Sequence, residues 1–471
     1  MSSLKIHIPS INLFVGVICS LIPVYLGIPY LLILFIFIFS LLIGMNSDLP
    51  QAIIFYLILS YLIPFDFLTL STGSGVGLVF NEYFFAGIPL YFTLPGVILR
   101  KNHKRGYTRS QKIIFYSTIT LLVISNIIPG ILSLIGIGGY RIRLIFLFNF
   151  LNALILFYLL SRVQIDSRLI KNVANCVIYL GVIASVFGIF QYVLKVPIIP
   201  NIGNTDFSRL NLLNMNNAVD SCPYLLVPFI MALSKLVHSK NWSNKLLVAT
   251  IIIFAAILLT FSRWGLFTVS IVILLTIWKN RRWFVKRIFV VALLSSIFVP
   301  IVIAVGQDAI QSKEQNERLT SAGNLYVRVY LWGLAATAIN DNPWGYGFGN
   351  STDAMFSKES EFQLLEENAY NSVDTFQEQS VHQFFLDYMM SLGALFGIIL
   401  LFFFVTLYRE SVKVSKIVPV EFSYFYIAIK LSTIALFIFY LQNVGSQMFY
   451  LFLFLGFFTK NYYSKNAFEL S

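Results

Sequence analysis

Charge is what this chain has least of. Asp, Glu, Lys and Arg make up 11% of its 471 residues, while 58% are hydrophobic and mean hydropathy reaches +0.79. That ratio cannot describe a soluble globule. Cysteine is scarce too, and Cys19, Cys176 and Cys222 fall in or at the edges of apolar runs, which excludes a disulfide framework and a cysteine metal cluster. Of the four histidines, His7, His103 and His238 are expected on the cytoplasmic side and only His382 outside, which excludes a multi-histidine external metal site. Carboxylates alone remain able to hold a hard cation. No small-residue cleavage site follows the first apolar run, so no cleavable signal peptide is expected. There is no basic, aromatic-interleaved module for nucleic acid.

What the chain has in quantity is long apolar runs. Stretches of roughly 17 to 25 residues recur, each long enough to cross a hydrocarbon core of about 30 Å as a helix, whereas a barrel would show short alternating strands. The pattern predicts an all-α, polytopic membrane protein of about fourteen spans. They are centred near residues 16, 36, 58, 90, 124, 152, 182, 229, 253, 271, 295, 394, 431 and 453. Pro23, Gly27 and Pro29 mark a tight junction between the first two spans. Ser262-Arg263-Trp264-Gly265 splits a longer run, since an arginine is costly at bilayer centre. With the N- and C-termini cytoplasmic, most lysines and arginines fall on the inner side, so the net charge of +12 reads as a topology signal facing anionic lipid.

Under that topology the chain divides into spans 1–11 over residues 1–305, one large external loop over 306–381, and spans 12–14 over 382–471. The loop holds eleven of the 21 acids against four cations, Lys313, Arg318, Arg328 and Lys358, and is expected to be largely a solvated acidic surface. Within it, 324–340 has apolar residues at helical spacing around Arg328, which predicts a helix against the membrane face. Pro343 and the glycines at 345, 347 and 349 then force a turn.

His382 is the only histidine expected on the external side, at the mouth of the loop, with Glu378 one helical turn earlier and able to orient an imidazole. It reads either as a general base or as an interfacial side chain at a helix start. Arg209, Arg263 and Arg328 are external cations that the topology rule disfavours. They read either as single arginines snorkelling to headgroups or as converging guanidinium groups suited to a lipid pyrophosphate. Lys430 lies within a span and reads as pairing with a buried acid or carbonyl, or as handling substrate. Asp387 falls on a different helix face from His382. Gly393 and Gly397 have the GxxxG spacing of close helix packing.

Four patches in order resemble the O-antigen polymerase and ligase superfamily, the Wzy-type membrane glycosyltransferases. They are Arg209 with Asn216 and Asn217; Thr260-Phe261-Ser262-Arg263; Arg328 to Gly349 with Trp332 and Pro343; and Val381 to Gly397. The resemblance covers roughly residues 200–405. Gln383 departs from the asparagine or serine often found after the histidine, and Trp264 from the small residue after Ser-Arg. The resemblance implies a C-type glycosyltransferase fold in the bacterial plasma (inner) membrane, with no cofactor and no metal. Its donor and acceptor would be undecaprenyl-pyrophosphate-linked oligosaccharides, in a setting of membrane lipid and with a chain-length regulator as partner. By the same resemblance Arg209, Arg263 and Arg328 would bind the donor pyrophosphate, His382 would be catalytic, and Glu378 and Asn217 would support them. The activity implied is an inverting polysaccharide polymerase for O-antigen or capsule. An O-antigen ligase or a protein O-oligosaccharyltransferase would use the same donor. A lipid-linked oligosaccharide transporter is the rival from another class, and the sequence has neither the internal repeats nor the several midplane charges expected of one.

Overall fold

The computed structural model describes residues 11–26, 28–45, 49–62, 69–71, 77–79, 82–99, 108–134, 144–162, 167–196, 209–212, 218–238, 243–281, 323–348, 350–358, 383–441 and 448–458. These residues form helices and one small antiparallel ribbon. The helices are α1 (Ile11–Leu26), α2 (Pro29–Met45), α3 (Leu49–Leu62), α4 (Glu82–Leu99), α5 (Arg109–Leu122), α6 (Ile128–Leu134), α7 (Leu144–Arg162), α8 (Ser167–Leu194), α9 (Ala218–His238), α10 (Asn244–Leu259) and α11 (Arg263–Lys279). They continue as α12 (Gly323–Asp341), α13 (Ser351–Phe356), α14 (Phe384–Leu392), α15 (Ala394–Ile417), α16 (Val420–Tyr440) and α17 (Met448–Gly456). The ribbon pairs Thr69–Ser71 with Gly77–Val79 between α3 and α4.

Five of the described helical segments are long and apolar enough to cross a bilayer: Arg109–Ile131, Ser167–Leu194, Ser221–His238, Ala394–Ile417 and Val420–Tyr440. Their outward faces carry Tyr116, Tyr179, Phe190 and Ile398 exposed, a surface that water would not tolerate over so many helices but lipid would. The chain is a membrane protein. Around its centre α9 lies against α8, α10, α11 and α16, while α17 lies against α7. Aromatic rings fill that centre. Phe150 of α7 meets Phe348, Tyr388, Phe396 and Phe452 at centroid distances of 5.5 to 6.1 Å, joining four other segments at one point. Such edge-to-face and tilted pairs add to the burial of their large apolar area.

Helix ends follow local chemistry. Thr108 and Gln111 form a capping box at the start of α5. Pro419 separates α15 from α16, because Val418 before it is pushed to extended backbone. Ser262 caps α11 by accepting from the Gly265 N–H at 3.2 Å, so the split expected at Ser262–Gly265 falls between α10 and α11.

Two features depart from the expectation of plain spans. The run centred near residue 394 is two helices: Gly393 has φ +94° and ψ 159°, a conformation open in practice to glycine alone, and it breaks the run between α14 and α15. Helix α14 then folds back along α15, with Phe385 against Phe404 at 6.0 Å. Gly397 does serve close packing, against Met389, but Gly393 serves a turn. The second departure is the π-helical turn at Val123–Ile127 joining α5 to α6. An inserted π turn of this kind re-aims side chains inside an otherwise continuous helix.

Candidate functional site

The helix expected over 324–340 is α12, and its Tyr330, Leu331, Leu334, Ala335, Ala338 and Ile339 form a second, smaller apolar core with Met355 and Met390. This core fixes α12 on α14. The turn that follows is held from both sides. Asn342 Nδ2 donates to the Gly345 carbonyl at 2.9 Å, and Gly345 and Gly347 take φ of +92° and +83°. The Tyr346 and Gly347 N–H groups donate to the Met390 and Ser391 carbonyls at 2.6 and 3.1 Å, while the Ala394 N–H donates to the Pro343 carbonyl at 2.8 Å. The glycine turn is thus laced to the Gly393 break by main-chain bonds.

The π turn receives the same segment. The buried Asn126 accepts the Phe348 N–H on its Oδ1 at 2.7 Å and donates through Nδ2 to Ser125 Oγ at 3.1 Å. Since that N–H has little access to water, Asn126→Leu is expected to lower stability by about 1–3 kcal/mol through the unsatisfied donor. A thermal unfolding midpoint unchanged from the parent protein would show that the bond does not hold the turn. Beyond the turn, Ser351 Oγ donates to Asp387 Oδ1 at 3.2 Å. Burial pushes the Asp387 carboxyl up to about 6, with the Ser351 bond acting against that shift.

Arg328 lies in the first turns of α12, half-buried, and Arg263 is the exposed first residue of α11. The two guanidinium groups are electrostatic neighbours: burial first, and then Arg263, lower the Arg328 pKa from its ordinary value. Two guanidinium groups paired in this way suit an anion with more than one charge, because each cation's field adds at the point between them.

Arg209 approaches the same elbow through its backbone. The next residue, Leu210, donates its N–H to the Leu259 carbonyl at the end of α10, at 2.9 Å. Leu212 N–H donates to Ser221 Oγ at 3.1 Å, and Gln191 Nε2 donates to the Asn211 carbonyl at 3.4 Å. Residues 209–212 are therefore pinned among α8, α9 and α10, and the Leu259 carbonyl that holds them lies four residues of chain before Arg263. The elbow itself is tight. Phe261 takes φ +48°, an unfavourable conformation for an aromatic residue, and the thiol of Cys222 bonds to Ser262 and Thr260 while a Cβ on Gly265 would collide with it.

The structure thus brings Arg263 and Arg328 together and ties the Arg209 segment to their elbow. His382, Glu378 and Asn217 lie outside the described residues; Gln383, adjacent to His382, caps α14 by accepting the Leu386 N–H. Among the described residues, no group of three His, Cys, Asp or Glu side chains comes together. Asn126 and Ser351 organise the neighbourhood and were not signalled by the sequence, because one polar residue carries no partner's name; Asp387, which the sequence set apart from His382, joins them through Ser351.

Residues 248–405 match a family described as O-Antigen ligase. No curated protein matches the chain.

Proposed function

From the premise that the match over residues 248–405 makes this chain a member of the O-antigen polymerase and ligase superfamily, we propose that it is a polysaccharide polymerase. It joins undecaprenyl-pyrophosphate-linked repeat units of O-antigen or capsule at the outer face of the bacterial plasma membrane. The adjacency of Arg263 and Arg328 is the observation that carries the donor chemistry of this reading. An acceptor sugar hydroxyl attacks the anomeric carbon of the donor while the bond to the pyrophosphate oxygen breaks, inverting that centre. Negative charge grows on the departing pyrophosphate, so cations fixed beforehand stabilise the transition state more than the bound donor. Arg263 and Arg328 supply that field directly, and Arg209 adds to it from the neighbouring loop.

In this scheme His382 takes the proton of the attacking hydroxyl, with Glu378 orienting the ring and Asn217 supporting the donor side. The chemistry requires no metal or cofactor. The segment 306–381 serves as the external acidic surface that receives the saccharide, on a chain of about fourteen spans with both termini cytoplasmic. A chain-length regulator is the protein partner such an enzyme would take.

A ligase reading keeps the same donor site and differs only in the acceptor, and the description of the matched family favours it. Deletion of the gene followed by gel analysis of surface glycan separates the two. Single repeats without a ladder are expected for the polymerase. Polymer stranded on the lipid carrier would move the assignment to the ligase, and an unchanged glycan pool would remove both.

A further inference from the structure

The end of α11 away from Arg263, about 24 Å along the helix, holds a second cationic site. Lys279 in the last turn of α11, Lys430 of α16 and His238 at the end of α9 line one cavity of about 490 Å³. The two lysine side chains lie within hydrogen-bonding reach of one another, and His238 lies within electrostatic range of both. His238 Nδ1 contacts the Ser234 carbonyl at 3.0 Å, which fixes the ring. No Asp or Glu is among the described residues that line the cavity, and Glu410, two positions after the lining residue Tyr408, is held at 3.2 Å by Lys413. Two ammonium groups this close repel unless an anion lies with them.

The cavity also explains where Lys430 sits. At the midpoint of the 21-residue α16 its sequence position suggests bilayer centre, but its neighbours are the last residues of α9 and α11, so it lies at the level where those helices end. The mouth of the cavity is apolar. Leu275 and Trp278 are both exposed there, Trp278 to 87%, and tryptophan beside lysine at a helix end is the composition of a membrane interface. Basic pockets between membrane helices suit anionic headgroups.

We propose that this cavity binds the phosphate group of an anionic phospholipid, with Lys279 and Lys430 donating to the phosphate oxygens and Trp278 and Leu275 lying against the acyl chains. The bound headgroup offsets the lysine repulsion and clamps α9, α11 and α16 together at the end opposite the arginines. It is a site independent of the proposed catalysis.

Thermal unfolding of the full chain in a non-ionic detergent tests this, with phosphatidylglycerol, phosphatidylcholine or inorganic phosphate added at equal concentration. Phosphatidylglycerol is expected to stabilise the parent protein and phosphatidylcholine is not. The double variant Lys279→Gln, Lys430→Gln should bind phosphatidylglycerol roughly thirty-fold more weakly, yet unfold at a higher temperature than the parent without lipid, because the repulsion is gone. Lys279→Gln alone, expected to weaken binding roughly five-fold, replaces the double variant if that does not fold. Lys245→Gln, exposed at the start of α10 and outside the cavity, should respond like the parent protein. Equal stabilisation by both lipids, or an undiminished response in the lysine variants, overturns the site. Inorganic phosphate acting as strongly as phosphatidylglycerol supports the phosphate seat and overturns the lipid as its source.

Discussion

Cells whose only copy carries Arg263→Ala or Arg328→Ala should make no long glycan, with the protein present in the membrane at parental abundance. Each substitution removes one of two guanidinium groups that share an environment. The loss expected from deleting a preorganised charge donor is roughly 10²–10³-fold in turnover, and iterated elongation turns such a loss into the disappearance of a ladder. Arg263 is exposed at a helix start, so its truncation leaves no cavity and little effect on stability is expected. Lysine at position 263 should rescue poorly, since it restores the charge but not the planar fork that grips two phosphate oxygens. Because the two arginines act on one anion, the double alanine variant should lose little beyond either single one. A normal ladder from either single variant at parental abundance would remove that residue from the mechanism.

Gly393→Ala is expected to be a strongly damaging small substitution. The residue sits at φ +94°, ψ 159°, where a side chain costs about 1–3 kcal/mol through backbone strain alone. An added Cβ would also lie 2.8 Å from the Pro343 carbonyl oxygen and 2.9 Å from that of Trp344. Relief would have to come from the bond between Ala394 N–H and Pro343 O, which holds the glycine turn to the α14–α15 junction. Folded yield and thermal midpoint should both fall, and the segment around α12 should become more open to protease. Gly397→Ala meets only the flexible Met389 side chain and should be milder. Similar losses from the two substitutions would contradict the role assigned to the turn.

The contrast between those two glycines shows how far the sequence could be read. Their spacing predicted helix packing, and spacing does not encode φ; Gly397 packs and Gly393 breaks the helix. The α10–α11 elbow was legible because its signal is chemical, an arginine that lipid rejects. Helix α12 was legible from its apolar period around Arg328. The π turn at Val123–Ile127 was not, since an apolar run reads the same whether or not one residue is inserted, and Asn126 shows its purpose only when Phe348 is placed beside it. Lys430 was legible as a charge within a span, while its neighbours Lys279 and His238 needed three dimensions. For the arginines the sequence supplied the residue types and the disfavoured location, while their adjacency needed three dimensions.

The central claim is that Arg263 and Arg328 act on the departing pyrophosphate, and single-turnover release of that group tests it most directly. Purified full-length protein would be mixed with a polyprenyl-pyrophosphate-linked repeat unit and an acceptor, and polyprenyl pyrophosphate followed in time. Release from the parent protein should be fast, with Arg263→Lys and Arg328→Lys both slowed by roughly 10²-fold or more at donor concentrations that saturate binding. Release at the parental rate by either lysine variant would contradict the account.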